Sequence, residues 1–133
     1  MQFQVSTKYA IRILQYLHLH SKELSSASTI SNSIGVAYPF VNKIAGSLKR
    51  HGLLTTVQGR HGGYKLARPA VEISVYDIFL AIEGELQIVS CLKNEQCCNQ
   101  GTADKCAAHD YLLTLQDDVV ALLSRKYVAD LSQ

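Results

Sequence analysis

Four cysteines and one histidine form the densest cluster of reactive side chains in the chain. Cys91, Cys97, Cys98 and Cys106 fall close together, and His109 follows Cys106 by three residues, one turn if a helix has already begun. Three thiolates and an imidazole make a four-ligand set suited to an iron–sulfur cluster or to zinc. Asn94, Asn99, Gly101 and Asp104, interspersed among them, are residues that turn a backbone around an ion. Paired Cys-x-x-Cys knuckles are missing, and the adjacent Cys97 and Cys98 fit poorly on one ion together, so the spacing argues against structural zinc and leaves one of the two spare. Inert packing is a poor account of four cysteines in a polar loop, whereas a metal-free thiol/disulfide switch remains open. An enzymatic thiol oxidoreductase is not expected: a vicinal disulfide is strained, and neither a Cys-x-x-Cys motif, a general-base pair nor a nucleotide loop accompanies these residues.

The compartment bears on that chemistry. Met1 to Ala10 shows no basic region followed by an apolar run, and no apolar stretch approaches the roughly 18 to 20 residues needed to span a bilayer. A cytoplasmic protein without membrane association is expected, and in a reducing compartment clustered cysteines point to metal or redox chemistry rather than to permanent disulfides. The net charge of +2 conceals a division. Residues 1–70 hold nine Lys/Arg against the single acid Glu23, a balance of +8, whereas the remainder holds four against ten, a balance of −6. The first part suits a polyanion such as double-stranded DNA, because cations that neutralise phosphates release counterions on binding.

Helical spacing dominates the elements that must position these groups. After Ser6 and Thr7 as N-caps, Ala10, Ile13, Leu14 and Leu17 describe one buried face of a first helix ending near His20. Ala27, Ile30 and Ile34 describe a short second helix closed by Gly35. Pro39 suits the first turn of a third helix, which buries Val41, Ile44 and Leu48 and stops at Gly52. Two helices joined by a tight turn are the helix-turn-helix pattern, whose second helix enters the major groove. Tyr38, Pro39, Asn42, Lys43, Lys49 and Arg50 are its candidate DNA contacts; Asn42 could read adenine bidentately and Lys43 could reach guanine or phosphate.

Two strand-like runs, Leu53 to Val57 and Tyr64 to Ala67, flank Gln58-Gly59-Arg60-His61-Gly62-Gly63 and predict a β-hairpin wing. Its three glycines permit positive φ and close approach to a phosphate backbone, and Arg60, His61, Gly62 and Tyr64 are further DNA-contact candidates. Beyond Pro69, Ser74 and Asp77 suggest a capped fourth helix through Ile78 to Ile82 that Gly84 ends; a short apolar segment, Leu86 to Val89, precedes the cysteine loop. Leu112, Leu115, Val119 and Leu122 then step by three, four and three along a helix from about Ala108 to Arg125, the spacing of a dimer seam, with packing on the chain's own core as the alternative. The expected fold is mainly α with a small β-hairpin wing: a winged helix-turn-helix over 1–70, then a cysteine-loop sensor and long C-terminal dimerisation helix over 71–133, in one compact domain overall.

Ser6-Thr7-Lys8-Tyr9-Ala10, Leu48-Lys49-Arg50-His51-Gly52-Leu53, Gly59-Arg60-His61-Gly62-Gly63-Tyr64 and the segment from Cys91 to His109 together resemble the Rrf-type family of winged helix-turn-helix transcription regulators, IscR/NsrR-like, over nearly the whole chain. The resemblance implies a homodimer on an imperfectly palindromic promoter site. It also implies an iron–sulfur cluster, [2Fe–2S] or [4Fe–4S], held in each subunit by three cysteines, with His109 as fourth ligand in the IscR-like pattern. That pattern spaces its cysteines evenly. Here five residues separate Cys91 from Cys97 and eight separate Cys97 from Cys106, or six and seven if Cys98 is the middle ligand. Lys8 stands near the place where the NsrR-like pattern has an acidic ligand. The function so implied is sensing of redox state, iron–sulfur status or nitric oxide, the alternative being the same DNA-binding regulator with zinc, a thiol/disulfide switch or a small-molecule effector.

Overall fold

The apolar positions of the first helix fold as their spacing requires. In the computed structural model, which describes residues 2–89 and 106–131, Ala10, Ile13, Leu14 and Leu17 line the buried face of α1 (Val5–Leu19). Its start differs from the local reading of Ser6 and Thr7 as caps. Gln4 is the N-cap and its side chain makes no capping bond. Glu83, at the far end of the fourth helix, instead accepts a hydrogen bond from the Gln4 N–H (3.3 Å) and another from the Thr7 hydroxyl. A carboxylate is favoured at a helix N-terminus, and this one arrives through the tertiary fold, so no local pattern announces it.

Local signals succeed for the next two helices. Ser26 caps α2 (Ala27–Ile34) by accepting from the Thr29 N–H at 3.1 Å, and Gly35 closes it with φ +70°, the left-handed conformation that favours glycine. Val36 is buried in the turn, and α3 (Tyr38–Arg50) follows with Pro39 in its first turn, burying Val41, Ile44, Ala45 and Leu48. Strands β1 (Leu54–Val57) and β2 (Gly63–Leu66) pair antiparallel, from Leu54 opposite Leu66 to Val57 opposite Gly63. The hairpin is thus closed one residue tighter, at Gly63, than the strand-like runs suggest, and Leu53 and Ala67 continue it only through one backbone hydrogen bond of 3.2 Å.

A 3-10 turn, Ala70–Glu72, leads to α4 (Val75–Glu83), whose start is a full capping box: the Asp77 N–H donates to Ser74 Oγ (3.1 Å), and the Ser74 N–H donates to Asp77 Oδ2 (3.0 Å). Gly84 ends it at φ +82°. The segment expected to be apolar from Leu86 onward forms neither helix nor strand as far as Val89; Leu86 is buried there, and the Ile88 N–H donates to Gln116. Helix α5 (Ala107–Ser124) follows, then a 3-10 turn, Val128–Leu131, that no sequence signal marked. That turn docks Val128 into the core, its N–H donating to the Ile73 carbonyl at 2.9 Å.

One apolar cluster unites α1 to α4, the base of the wing and Val128. Helix α5 contributes no fully buried residue to it. Among the described residues, no helix is long and apolar enough to cross a membrane.

Candidate functional site

Helix α3 and the wing present one continuous polar face. Tyr38, Pro39, Lys43, Lys49, Arg50, Arg60 and His61 are exposed, and Asn42, Gly62 and Tyr64 are half-buried at the seam between helix and hairpin. Side-chain hydrogen bonds hold that seam: Lys49 Nζ donates to Thr56 Oγ1 of β1 and the Tyr64 hydroxyl donates to Asn42 Oδ1, each at 2.9 Å. Along α3 itself, Arg50 Nη2 donates to Ser47 Oγ at 2.9 Å. Burial, and secondarily Tyr38 beside it, push the Tyr64 hydroxyl above the usual tyrosine pKa. Lys43, Lys49, Arg50 and Arg60 form no ion pair among the described residues, so their charge is available to a partner outside the chain.

The three wing glycines, expected to permit positive φ and close approach, divide these tasks. Only Gly59 adopts positive φ, at +110°. A Cβ on Gly62 would run into the Val57 carbonyl, and one on Gly63 would lie 2.7 Å from the Ser25 oxygen. Gly63 is needed because the hairpin is pinned to the start of α2: the Ser25 N–H donates to the Tyr64 carbonyl (3.1 Å) and the Tyr64 N–H to the Ser25 carbonyl (2.8 Å). Ser25 was invisible as a positioning residue in the sequence because its partner is a backbone strand rather than a neighbouring side chain.

At the start of α5 the structure describes two of the five candidate ligands; Cys91, Cys97 and Cys98 lie outside the described residues. Cys106 is the N-cap and half-buried, and its thiol makes no capping bond. His109 stands one turn on with its side chain 16 % exposed. Its Nδ1 is buried and makes no hydrogen bond among the described residues, although Asp110 Oδ1 is 3.5 Å away. Residues three apart on a helix are neighbours, so the thiol and the imidazole can serve one centre, and a buried ring nitrogen without a partner fits a metal ligand.

Further along α5, Leu112, Leu115 and Val119 are half-buried and Leu122 is 59 % exposed. Tyr111 and Leu113 are exposed as well. Beside the foot of this helix lies an open groove of about 400 Å³ whose apolar lining includes Phe3, Ile11, Val75 and Leu123.

Residues 3–133 match the family model Rrf2, described as an iron-dependent transcriptional regulator. Three curated relatives illustrate the likeness. The chain is 37 % identical over 93 residues to protein aau3 of Rhizobium meliloti (strain 1021), covering 70 % of this chain and 60 % of that protein. It is 33 % identical over 96 residues to the HTH-type transcriptional regulator NsrR of Shouchella clausii, covering 71 % and 64 %. Against the regulator IscR of Photorhabdus laumondii it is 29 % identical over 125 residues, covering 93 % and 74 %. The chain thus spans less than two thirds of the length of the first two. Two solved structures share the fold: T. potens IscR, with a TM-score of 0.76 at 21 % identity over 98 % of this chain and 85 % of that one, and B. subtilis CymR, with 0.75 at 18 % identity over 99 % and 96 %. With the winged helical architecture in place and the family model spanning all but the first two residues, the chain belongs to the Rrf2 family, a family of transcriptional regulators rather than of enzymes.

Proposed function

We propose that the protein is a homodimeric, cytoplasmic, DNA-binding transcription regulator whose DNA affinity is set by an iron–sulfur cluster. The observation that carries the DNA-binding part is the continuous face of α3 and the wing, where unpaired cations surround groove-sized polar side chains. Helix α3 lies in the major groove with Tyr38, Pro39, Asn42 and Lys43 toward the bases, Lys49 and Arg50 serve the backbone, and Arg60 and His61 reach phosphate or the minor groove. Leu112, Leu115, Val119 and Leu122 form the dimer seam, and the groove beside Phe3, Ile11 and Val75 receives apolar surface of the second subunit. Two recognition helices related by a twofold axis then match a palindromic promoter site.

The buried His109 nitrogen, which makes no hydrogen bond among the described residues, supports the sensing part. Cys106 and His109 would hold the cluster together with Cys91 and one of Cys97 and Cys98. When bound, the cluster supplies iron and sulfide that react with oxidants and nitric oxide. The chain's own contribution is positional: Cys106 and His109 sit at the root of α5, so their engagement bears directly on the helix that joins the subunits. A coupling of about 1 to 3 kcal/mol between the two sites corresponds to roughly 5- to 150-fold control of DNA affinity.

Fluorescence anisotropy with promoter DNA tests this reading, using protein purified without oxygen and the same protein after iron is removed. The expected result is a change of affinity of at least several-fold between the two. The vicinal pair Cys97 and Cys98 favours a second reading, a thiol switch in the same regulator; it predicts instead colourless protein whose DNA affinity follows the thiol/disulfide ratio.

A further inference from the structure

The seam between α3 and the wing orients one groove-facing side chain before DNA arrives. An unconstrained asparagine offers its amide oxygen and nitrogen in either order and can pair bidentately with adenine, accepting from N6 and donating to N7. Asn42 is not unconstrained. Its Oδ1 accepts the Tyr64 hydroxyl proton at 2.9 Å, and Tyr64 is fixed in turn by its two backbone hydrogen bonds to Ser25. The Tyr64 hydroxyl has one hydrogen and gives it to Asn42. Nδ2, with two N–H donors, makes no hydrogen bond among the described residues.

We propose that Tyr64 is a positioning residue for base recognition, holding the Asn42 oxygen toward the wing so that Asn42 reads the major groove as a hydrogen-bond donor. The edge that answers two donors is guanine, whose N7 and O6 are adjacent acceptors. Adenine offers N7 to one N–H but sets its N6 donor against the other, and is disfavoured relative to guanine. The assignment rests on α3 being the DNA-reading helix and adds to it the direction in which residue 42 reads.

The test is selection of binding sites from a random duplex library by the full-length, oxygen-free protein, followed by affinity measurements on the selected site and its variants. The base pair read by residue 42 is the one whose preference disappears in Asn42→Ala. At that position the wild type is expected to prefer guanine, and substitution of 7-deazaguanine is expected to weaken binding on the order of ten-fold. Tyr64→Phe, which keeps the ring and removes only the hydroxyl, is expected to bring the guanine-over-adenine ratio close to one. Asn42→Asp, with acceptors only, is expected to reverse the preference toward adenine or cytosine. An adenine preference in the wild type, or a guanine preference undiminished in Tyr64→Phe, overturns the assignment while leaving α3 as the reading helix. Wild-type protein that selects no sequence overturns both.

Discussion

Gly62 and Gly63 show how a residue's role follows from what surrounds it rather than from its type. Both are glycines in a turn, yet neither adopts positive φ; each is required because backbone occupies the place of its Cβ. Gly63→Ala is therefore expected to part the wing from Ser25 and to destabilise the fold by about 1 to 3 kcal/mol, the usual range for an overpacked site, read as a lower denaturation midpoint. Tyr64 offers a pH test. Its pKa is raised in the folded state, so above the unfolded value near 10 the unfolded chain loses a proton that the folded chain retains. Stability from this group is complete below that pH and declines as pH rises through the folded value. Tyr64→Phe should thus lose less stability than the wild type as pH rises above about 10, compared by denaturant titration. Local chemistry made Gly35, Ser74 and Asp77 legible from the sequence, since each acts on residues within one turn. Glu83 was illegible because it caps α1 from the end of α4, and Ser25 because it pairs with a strand far along the chain.

At the level of elements, spacing predicted the five helices and the hairpin of the described residues, with errors of up to three residues at their ends. The buried faces of α1, α2 and α3 follow the three- and four-residue steps of their apolar side chains. The 3-10 turn at Val128–Leu131 escaped notice because four residues carry no periodicity, although Val128 is fully buried. Helix α3 contains a glycine within its interior, Gly46, where an added Cβ would meet only the end of Arg50 at 3.6 Å. Gly46→Ala is expected to stabilise the protein by about 0.5 to 1 kcal/mol, because alanine restricts the unfolded chain and suits a helix; an unchanged or lower melting temperature would contradict the openness of that site. The wing makes a separate prediction. Arg60→Ala should weaken DNA binding and reduce the slope of log affinity against log salt concentration by about one, whereas an unchanged slope would remove Arg60 from the phosphate contacts.

The whole molecule divides its electrostatic and apolar tasks between its two parts. Cations concentrate in residues 1–70, acids concentrate beyond, and α5 carries leucines and valines that the single-chain core does not absorb. Leu122→Glu, at a position 59 % exposed in the single chain, is expected to yield a folded monomer by light scattering and to reduce affinity for a palindromic site far more than for a half-site. The three- and four-residue spacing of Leu112, Leu115, Val119 and Leu122 was legible in the sequence; the groove beside Phe3 and Val75 was not, because residues distant in sequence build it. The most direct test of the central claim is the visible absorption spectrum of oxygen-free protein, with iron and sulfide analysis, beside Cys106→Ala. A brown wild type with bands between about 300 and 500 nm, iron and sulfide in proportion, and a colourless but folded Cys106→Ala dimer are predicted; a colourless, iron-free wild type, or a variant as coloured as the wild type, would contradict the account.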